Sequence, residues 1–142
     1  MINNKDTIKS KNLLLYPRLI LSTPFFVIAI LIFLFSHIPH PEFPNIGIEW
    51  EDKIMHFFVY FIFGITVIVF ILSNSKKNNL RFVAIISILI GSFYGLSDEI
   101  HQYFIPGRDA EFLDWIADLF GILISLIFIK SLKRKVDKVY AR

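Results

Sequence analysis

A block of ionisable side chains in residues 94–121 is the part of the chain best suited to chemistry. Its sequence is YGLSDEIHQYFIPGRDAEFLDWIADLFG, and apolar runs lie on both sides. Ionisable groups set among helices of membrane length are costly, so they usually mark a functional site. The block therefore predicts where a site lies, but it does not identify a reaction.

Polar residues recur every four positions in three segments, which predicts that each segment presents one polar helix face. The three stripes are Asp52, His56 and Tyr60; Tyr94, Asp98 and Gln102; and Asp114 and Asp118. At about 1.5 Å per residue they reach similar depths in the outer half of a membrane, which predicts a polar pocket with Asp118 as its floor. The predicted lining is Asp52, His56, Tyr60, Tyr94, Asp98, Glu99, His101, Gln102, Arg108, Asp114 and Asp118. A purely structural hydrogen-bond network, with solvated helix ends at Asp52, Glu99 and Gln102, is the alternative.

The carboxylates offer two kinds of chemistry. Asp114 and Asp118 lie one turn apart on one face, and two carboxylates that close in a low dielectric do not readily ionise together. Such a pair suits a proton acceptor, a general acid or a structural shared proton. Asp98 and Asp114 are the candidate catalytic bases.

Metal binding and anion binding are further possibilities. All four histidines lie on the same side as the carboxylates, and imidazole with carboxylate suits zinc or a similar divalent ion. The candidate metal ligands are His56, His101, Asp98 and Asp114, although no HExxH signature is present. Arg108 follows a Pro-Gly pair and suits a phosphate or carboxylate. A bridge from Arg108 to Asp98, Glu99 or Asp114 is the equal alternative.

The elements that must position these residues are membrane helices. The 142 residues are 55% apolar with a mean hydropathy of +0.60, and a spanning helix needs about 20 mainly apolar residues. We predict an all-α polytopic membrane protein whose four transmembrane helices span about 19–38, 54–72, 81–101 and 112–129. The membrane domain is then 19–129, with basic tails at 1–18 and 130–142. Ser87, Gly91 and Gly95 form a small-residue stripe that lets helices approach closely.

The charge distribution predicts the orientation of the chain. Thirteen of the 15 Lys and Arg residues lie in the two tails and the connection near residues 76–81, and only Lys53 and Arg108 lie at the opposite ends of the helices. The positive-inside rule therefore predicts that both termini are cytoplasmic. Contact with anionic lipid headgroups explains the basic tails better than nucleic-acid binding does. The absence of cysteine excludes disulfides and thiolate chemistry.

Residues in the last three predicted helices resemble a known family. DKIMHFFVYFIFG at 52–64, followed by the 94–121 block, is similar to the VanZ-like family of small bacterial membrane proteins. The matching positions are Asp52, Lys53, His56, Asp98, Glu99, Gln102, Pro106, Gly107, Arg108, Asp114, Asp118 and Gly121. Many members carry Asn where this chain has Asp118, which weakens any mechanism that needs a carboxylate pair. The resemblance implies a multi-pass protein of the bacterial inner membrane and the cell envelope. The family name derives from an association with teicoplanin resistance, and the resemblance implies no particular reaction.

Three functional hypotheses follow. The first is a pocket that recognises an envelope component, either an anionic lipid headgroup or a lipid-linked cell-wall precursor, with Arg108 on the anionic group. The second is a membrane-embedded and metal-dependent enzyme that acts on a lipid or lipid-phosphate. The third and least favoured is proton-coupled transport, because helices 2–4 are almost purely apolar below Tyr60, Tyr94 and Asp118.

Overall fold

The chain folds as a bundle of long α-helices. The computed structural model describes residues 4–39, 50–75 and 79–141. The helices are α1 (Asn4–Ser36), α2 (Glu51–Asn74), α3 (Leu80–Tyr103), α4 (Phe112–Ser125) and α5 (Ile129–Tyr140), with a 3-10 turn at Leu126–Phe128 between the last two. His40, one of the four histidines, lies outside these ranges.

Four helical segments are long and apolar enough to cross a membrane, which confirms the predicted all-helical four-span architecture. They are Tyr16–Ser36, Glu51–Asn74, Leu80–Tyr103 and Phe112–Tyr140, with mean hydropathies between 1.8 and 2.6. Their orientation in the membrane stays a prediction. The end of the bundle that contains Ser36, Glu51, Tyr103 and Phe112 is called the polar end below.

Both tails are more helical than the sequence suggests. Helix α1 begins at Asn4, so Pro24 lies inside the helix rather than in its first turns. In lipid a helix keeps every backbone hydrogen bond it can form, so an interior proline need not end it. Helix α5 packs back on the bundle. Its Val136 is buried, and the Tyr140 hydroxyl donates to the Ser73 carbonyl at 3.1 Å.

Small residues set the distance between helices. Gly121 of α4 lies against the backbone of α2, where an added Cβ would be 2.7 Å from the Phe61 nitrogen. Gly91 and Gly95 of α3 face the Ile122 and Asp118 side chains of α4. The close approach predicted for the small-residue stripe of α3 is thereby confirmed.

Helix α1 packs against the other helices rather than standing aside, a point that the sequence leaves open. The Phe25 ring stacks on Phe70 of α2 with ring centroids 4.6 Å apart. The Tyr94 hydroxyl of α3 donates to the Ala29 carbonyl at 2.6 Å. Helix α1 is therefore placed to form one wall of a cavity shared with α2 and α3.

Candidate functional site

A cleft of about 290 Å³ lies between α1, α2 and the polar end of α3. Its lining comprises Ile28, Leu31, Ile32, Phe35, Ser36, Asp52, Met55, His56, Val59, Tyr60, Ile62, Asp98, Gln102 and Arg108. The polar side chains gather where α1 ends and α2 begins, whereas Ile28 and Ile62 lie farther from that end. Ten residues of α2 separate Asp52 from Ile62, which is about 15 Å along the helix axis. The cleft is therefore amphipathic along its length.

Asp98 joins α1 and α3 at the polar part of the cleft. One carboxylate oxygen accepts a hydrogen bond from the Ser36 hydroxyl, and the other accepts from the Gln102 side-chain amide at 3.3 Å. Asp98 is only 6% exposed. Its two donors supply the hydrogen bonds that a buried carboxylate requires. Of the two candidate bases, Asp98 lies on the cleft wall and Asp114 does not.

Arg108 reaches the cleft from the loop between α3 and α4. Pro106 and Gly107 form a tight turn in which the Arg108 amide donates to the Ile105 carbonyl at 3.1 Å. Gly107 has a φ of 78°, the positive value that the third residue of a type II turn requires. The guanidinium donates to the Phe35 carbonyl at 2.7 Å and so places a cation at the last turn of α1, where it is favourable.

This arrangement bears on the two alternatives for Arg108. Among the described residues, no carboxylate lies within ion-pair distance of Arg108. Its Nε atom is buried and has no hydrogen-bond partner there. The bridge to Asp98, Glu99 or Asp114 is therefore not formed, and part of the guanidinium stays available to an anion.

A second group of polar residues lies behind the cleft and is called the histidine–carboxylate cluster: His56, Glu99 and Asp118. The His56 Nδ1 atom lies 2.9 Å from an Asp118 oxygen and 3.9 Å from a Glu99 oxygen. Asp118 is fully buried and Glu99 is 6% exposed. The other Glu99 oxygen accepts from the Glu111 amide at 3.0 Å and so satisfies a free donor at the start of α4. Asp118 thus lies against the inner side of His56 and not on the floor of the cleft.

Lys53 compensates the charge of Asp114. Its ammonium group lies 3.0 Å from an Asp114 oxygen and also donates to Glu111. Asp114 is 1% exposed, and neither of its oxygens has a partner with hydrogen-bond geometry. The ion pair with Lys53 is therefore the compensation that the structure gives to this buried carboxylate.

Of the remaining predicted site residues, His101 and Tyr94 lie away from the cleft, whereas Tyr60 lines it. His101 pairs with His37 at 3.3 Å. Among the described residues, two groups have ligand atoms close enough to hold a metal ion: one is Asp52, His56 and Asp114, and the other is His56, Glu99 and Asp118. His101 belongs to neither group. Asp98 likewise belongs to neither group. Tyr94 donates to α1 and packs on Phe63 with ring centroids 4.9 Å apart. Tyr60 does line the cleft, and its buried hydroxyl has no partner among the described residues.

Sequence reasoning missed Ser36, Lys53 and Glu111. Lys53 carried a usable signal, because it is one of two basic residues at the polar end and lies next to Asp52. Ser36 and Glu111 carried none, since each acts through a contact with a helix distant in sequence.

Replacing Lys53 by methionine is expected to lower the free energy of unfolding by roughly 1–3 kcal/mol, because Asp114 is then buried without a compensating charge. The matched control is Lys133→Met, which removes an exposed ion pair with Asp137 and is expected to cost about 0–1 kcal/mol. Denaturant unfolding in detergent measures both variants. Equal losses would show that the Lys53–Asp114 pair contributes no more than a surface pair.

Comparison with known proteins identifies the family. The family model VanZ/LLP1 matches residues 4–133. A fission yeast protein, "Uncharacterized protein C11E3.10" of Schizosaccharomyces pombe, is 31% identical over 98 residues, which are 68% of this chain and 57% of the yeast protein. No solved structure matches. The chain belongs to the VanZ/LLP1 family and spans little more than half the length of this relative.

Proposed function

We propose that this VanZ/LLP1 protein binds a membrane lipid with a phosphate-bearing headgroup in the cleft between α1, α2 and α3. The observation that carries the proposal is the amphipathic lining. Polar side chains occupy one end of the cleft, and Leu31, Val59 and Ile62 line the rest. A lipid has the same distribution, with a polar head and an apolar chain.

Arg108 is the proposed contact for the phosphate. Its guanidinium lies at the cleft, and no described carboxylate lies within ion-pair distance of it. An anion here would also meet the buried Nε donor that lacks a partner. Guanidinium groups bind phosphate through pairs of N–H donors. The exposed Asp52 on the same wall suits an amine or hydroxyl of the headgroup.

The walls of the cleft support entry from the membrane. Leu31, Phe35, Val59 and Ile62 are each between 37% and 57% exposed, and they lie in segments long enough to span a bilayer. In a membrane these surfaces would face lipid chains. A volume of about 290 Å³ is at the low end for ligand pockets, which suits a headgroup and the first part of one chain.

Purification in mild detergent tests the proposal. We expect phosphate-bearing lipid to remain with the wild-type protein and to be depleted at least about tenfold in Ile62→Trp, whose indole fills the cleft, a loss of about 1.4 kcal/mol in binding. Ile85→Trp is the matched control, because Ile85 is 57% exposed on α3 and does not line the cleft. Mass spectrometry of the extracted lipid distinguishes a glycerophospholipid from a lipid-linked wall precursor. Equal lipid in both variants would contradict binding in the cleft.

Arg108→Gln tests the headgroup contact separately. We expect it to reduce retained phosphate-bearing lipid but not uncharged lipid, because it removes the cation and leaves the apolar walls intact. Arg81→Gln, an exposed arginine at the opposite end of α3, serves as its control. Parallel loss of charged and uncharged lipid in Arg108→Gln would point to loosening of the Phe35 contact instead of phosphate recognition.

A second candidate function is an enzyme that acts on the same lipid-phosphate, with Asp98 as the base. The observation that favours it is the position of Asp98 on the cleft wall beside Gln102 and Arg108. Release of inorganic phosphate or of a free headgroup from the bound lipid would distinguish turnover from binding.

The proposed location is the inner membrane of a bacterial cell, with both termini in the cytoplasm and the polar end outside. In the sequence, 13 of the 15 basic residues fall in the two tails and the connection near residues 76–81, which supports this orientation. The ligand would then be an outer-leaflet component of the cell envelope, which is where an effect on teicoplanin resistance would arise. The yeast relative extends the family beyond bacteria, which favours an ordinary phospholipid over a wall precursor.

A further inference from the structure

We infer that the histidine–carboxylate cluster of His56, Glu99 and Asp118 is a binding site for one divalent metal ion of the zinc or manganese type. The three side chains come from α2, α3 and α4 and converge between those helices. One ligand atom from each lies within 4.8 Å of the other two. The inference is independent of lipid binding, because the ion and the lipid have separate ligands apart from His56.

An unpartnered oxygen points into the cluster. The Glu99 oxygen nearest His56 is buried and has no hydrogen-bond partner among the described residues. One Asp118 oxygen is also unpartnered but lies against Gly95, whereas the other is the one 2.9 Å from His56. Buried polar atoms are nearly always satisfied by protein, water or an ion. The second Glu99 oxygen is already used by the Glu111 amide, so the free oxygen is held in place and aimed at His56.

The charge of the cluster favours a cation. Two carboxylates face a single imidazole, and among the described residues no Lys or Arg nitrogen lies within ion-pair distance of Glu99 or Asp118. A divalent ion bound to a neutral imidazole and two carboxylates gives a neutral site. Neutrality is valuable at this position, because isolated charges at membrane depth are costly.

The donor set selects the kind of ion. One nitrogen and two carboxylate oxygens suit zinc or manganese better than calcium, which prefers an all-oxygen shell. Neighbouring ligand atoms of a four-coordinate ion with bonds near 2.1 Å lie roughly 3–3.5 Å apart. The distances from the His56 nitrogen to the Asp118 and Glu99 oxygens, 2.9 Å and 3.9 Å, lie on either side of that range. Three protein ligands leave a position open for water or a ligand.

The neighbouring group of Asp52, His56 and Asp114 is the weaker site. Lys53 already occupies the Asp114 side of that group at 3.0 Å, and Asp52 is exposed. A cation there would have to compete with the ammonium group. His56 belongs to both groups. Because Lys53 already pairs with Asp114, the His56 imidazole would bind an ion together with Glu99 and Asp118.

Cobalt titration of the full chain in detergent, after treatment with a chelator, tests the inference. We expect saturable visible absorption at about one Co²⁺ per chain, lost on addition of Zn²⁺. Glu99→Gln and Asp118→Asn are expected to weaken Co²⁺ binding at least about tenfold, since even residues outside the ligand shell cost 10–100-fold. A wild-type protein without saturable absorption would overturn the inference, and this result needs no variant to fold.

Two further variants separate ligation from general charge. Asp137→Asn removes an exposed carboxylate of α5 that pairs with Lys133, and it should bind Co²⁺ like the wild type. Glu99→His keeps a metal donor and should retain binding while shifting preference from Mn²⁺ towards Zn²⁺. Loss of binding in Asp137→Asn, or unchanged binding in Glu99→Gln with the native helical content, would show that the cluster is not the site.

Discussion

Replacing Gly121 by alanine is expected to destabilise the bundle more than any other single added methyl group. The new Cβ would touch the Phe57 carbonyl oxygen and lie 2.7 Å from the Phe61 nitrogen. These are backbone atoms of α2, so they cannot turn away as a side chain can. Helices α2 and α4 would have to separate, at a cost on the order of 1–3 kcal/mol or more.

Gly91→Ala is the matched comparison for that variant. The three atoms nearest its Cβ would all belong to the Ile122 side chain, which is less constrained than a helix backbone. Both substitutions gain the same helix propensity of about 1 kcal/mol. The difference between their free energies of unfolding therefore reflects packing alone. The melting temperature of Gly121→Ala in detergent should be well below that of Gly91→Ala. The opposite order would mean that the α2–α4 backbone contact does not limit the fold.

Breaking the contact between His56 and Asp118 is the second change with a large expected effect. Asp118 is fully buried, and His56 lies 2.9 Å away. Asp118→Leu leaves the imidazole without its nearest carboxylate, and His56→Leu leaves a buried carboxylate alone. Removing one member of a buried pair typically costs about 3–5 kcal/mol.

A double-mutant cycle measures the interaction between them. The His56→Leu/Asp118→Leu protein should be more stable than the sum of the two single losses predicts, by about 0.5–3 kcal/mol. The exposed Lys133–Asp137 pair is the control cycle and should give about 0.3–0.5 kcal/mol. Additive losses for His56 and Asp118 would show that the two residues act independently.

The fold could be predicted from the sequence because membrane insertion leaves few choices. Long apolar runs must become helices, since no water is present to satisfy an exposed backbone. The turn at Gly107 also followed from the Pro-Gly pair, whereas α2 begins at Glu51, three residues before the predicted span. The helical start of α1 at Asn4 did not, because the hydropathy pattern marks the membrane-spanning part of a helix and not its extension beyond the bilayer.

The partners within the site were harder to predict. Four-residue spacing places Asp98, Asp114 and Asp118 on inward faces, and all three are buried. Spacing along one helix does not fix the rotation of its neighbours, so it could not show that Asp118 faces His56 while Asp114 faces Lys53. It likewise could not show that Arg108 binds a main-chain carbonyl of α1, because a carbonyl has no sequence signature.

The division of the polar residues into a cleft and a buried cluster separates two roles. Asp52, Asp98, Gln102 and Arg108 line the cleft. The exposed Asp52 and part of the Arg108 guanidinium are available to a ligand, whereas the buried Asp98 and Gln102 bond to each other. Glu99, Asp114 and Asp118 lie behind it and connect α2, α3 and α4. His56 belongs to both sets, so a change at His56 should affect stability and lipid binding together.

Photocrosslinking tests lipid binding in the cleft most directly. The probe is a phospholipid with a photoreactive group in one acyl chain, added to the protein in vesicles and mapped by peptide mass spectrometry. Binding in the cleft predicts crosslinks concentrated on Leu31, Val59 and Ile62 and reduced by Arg108→Gln but not by Arg81→Gln. Crosslinks spread over all the lipid-facing residues, including Ile85 and Phe93 of α3, would contradict it.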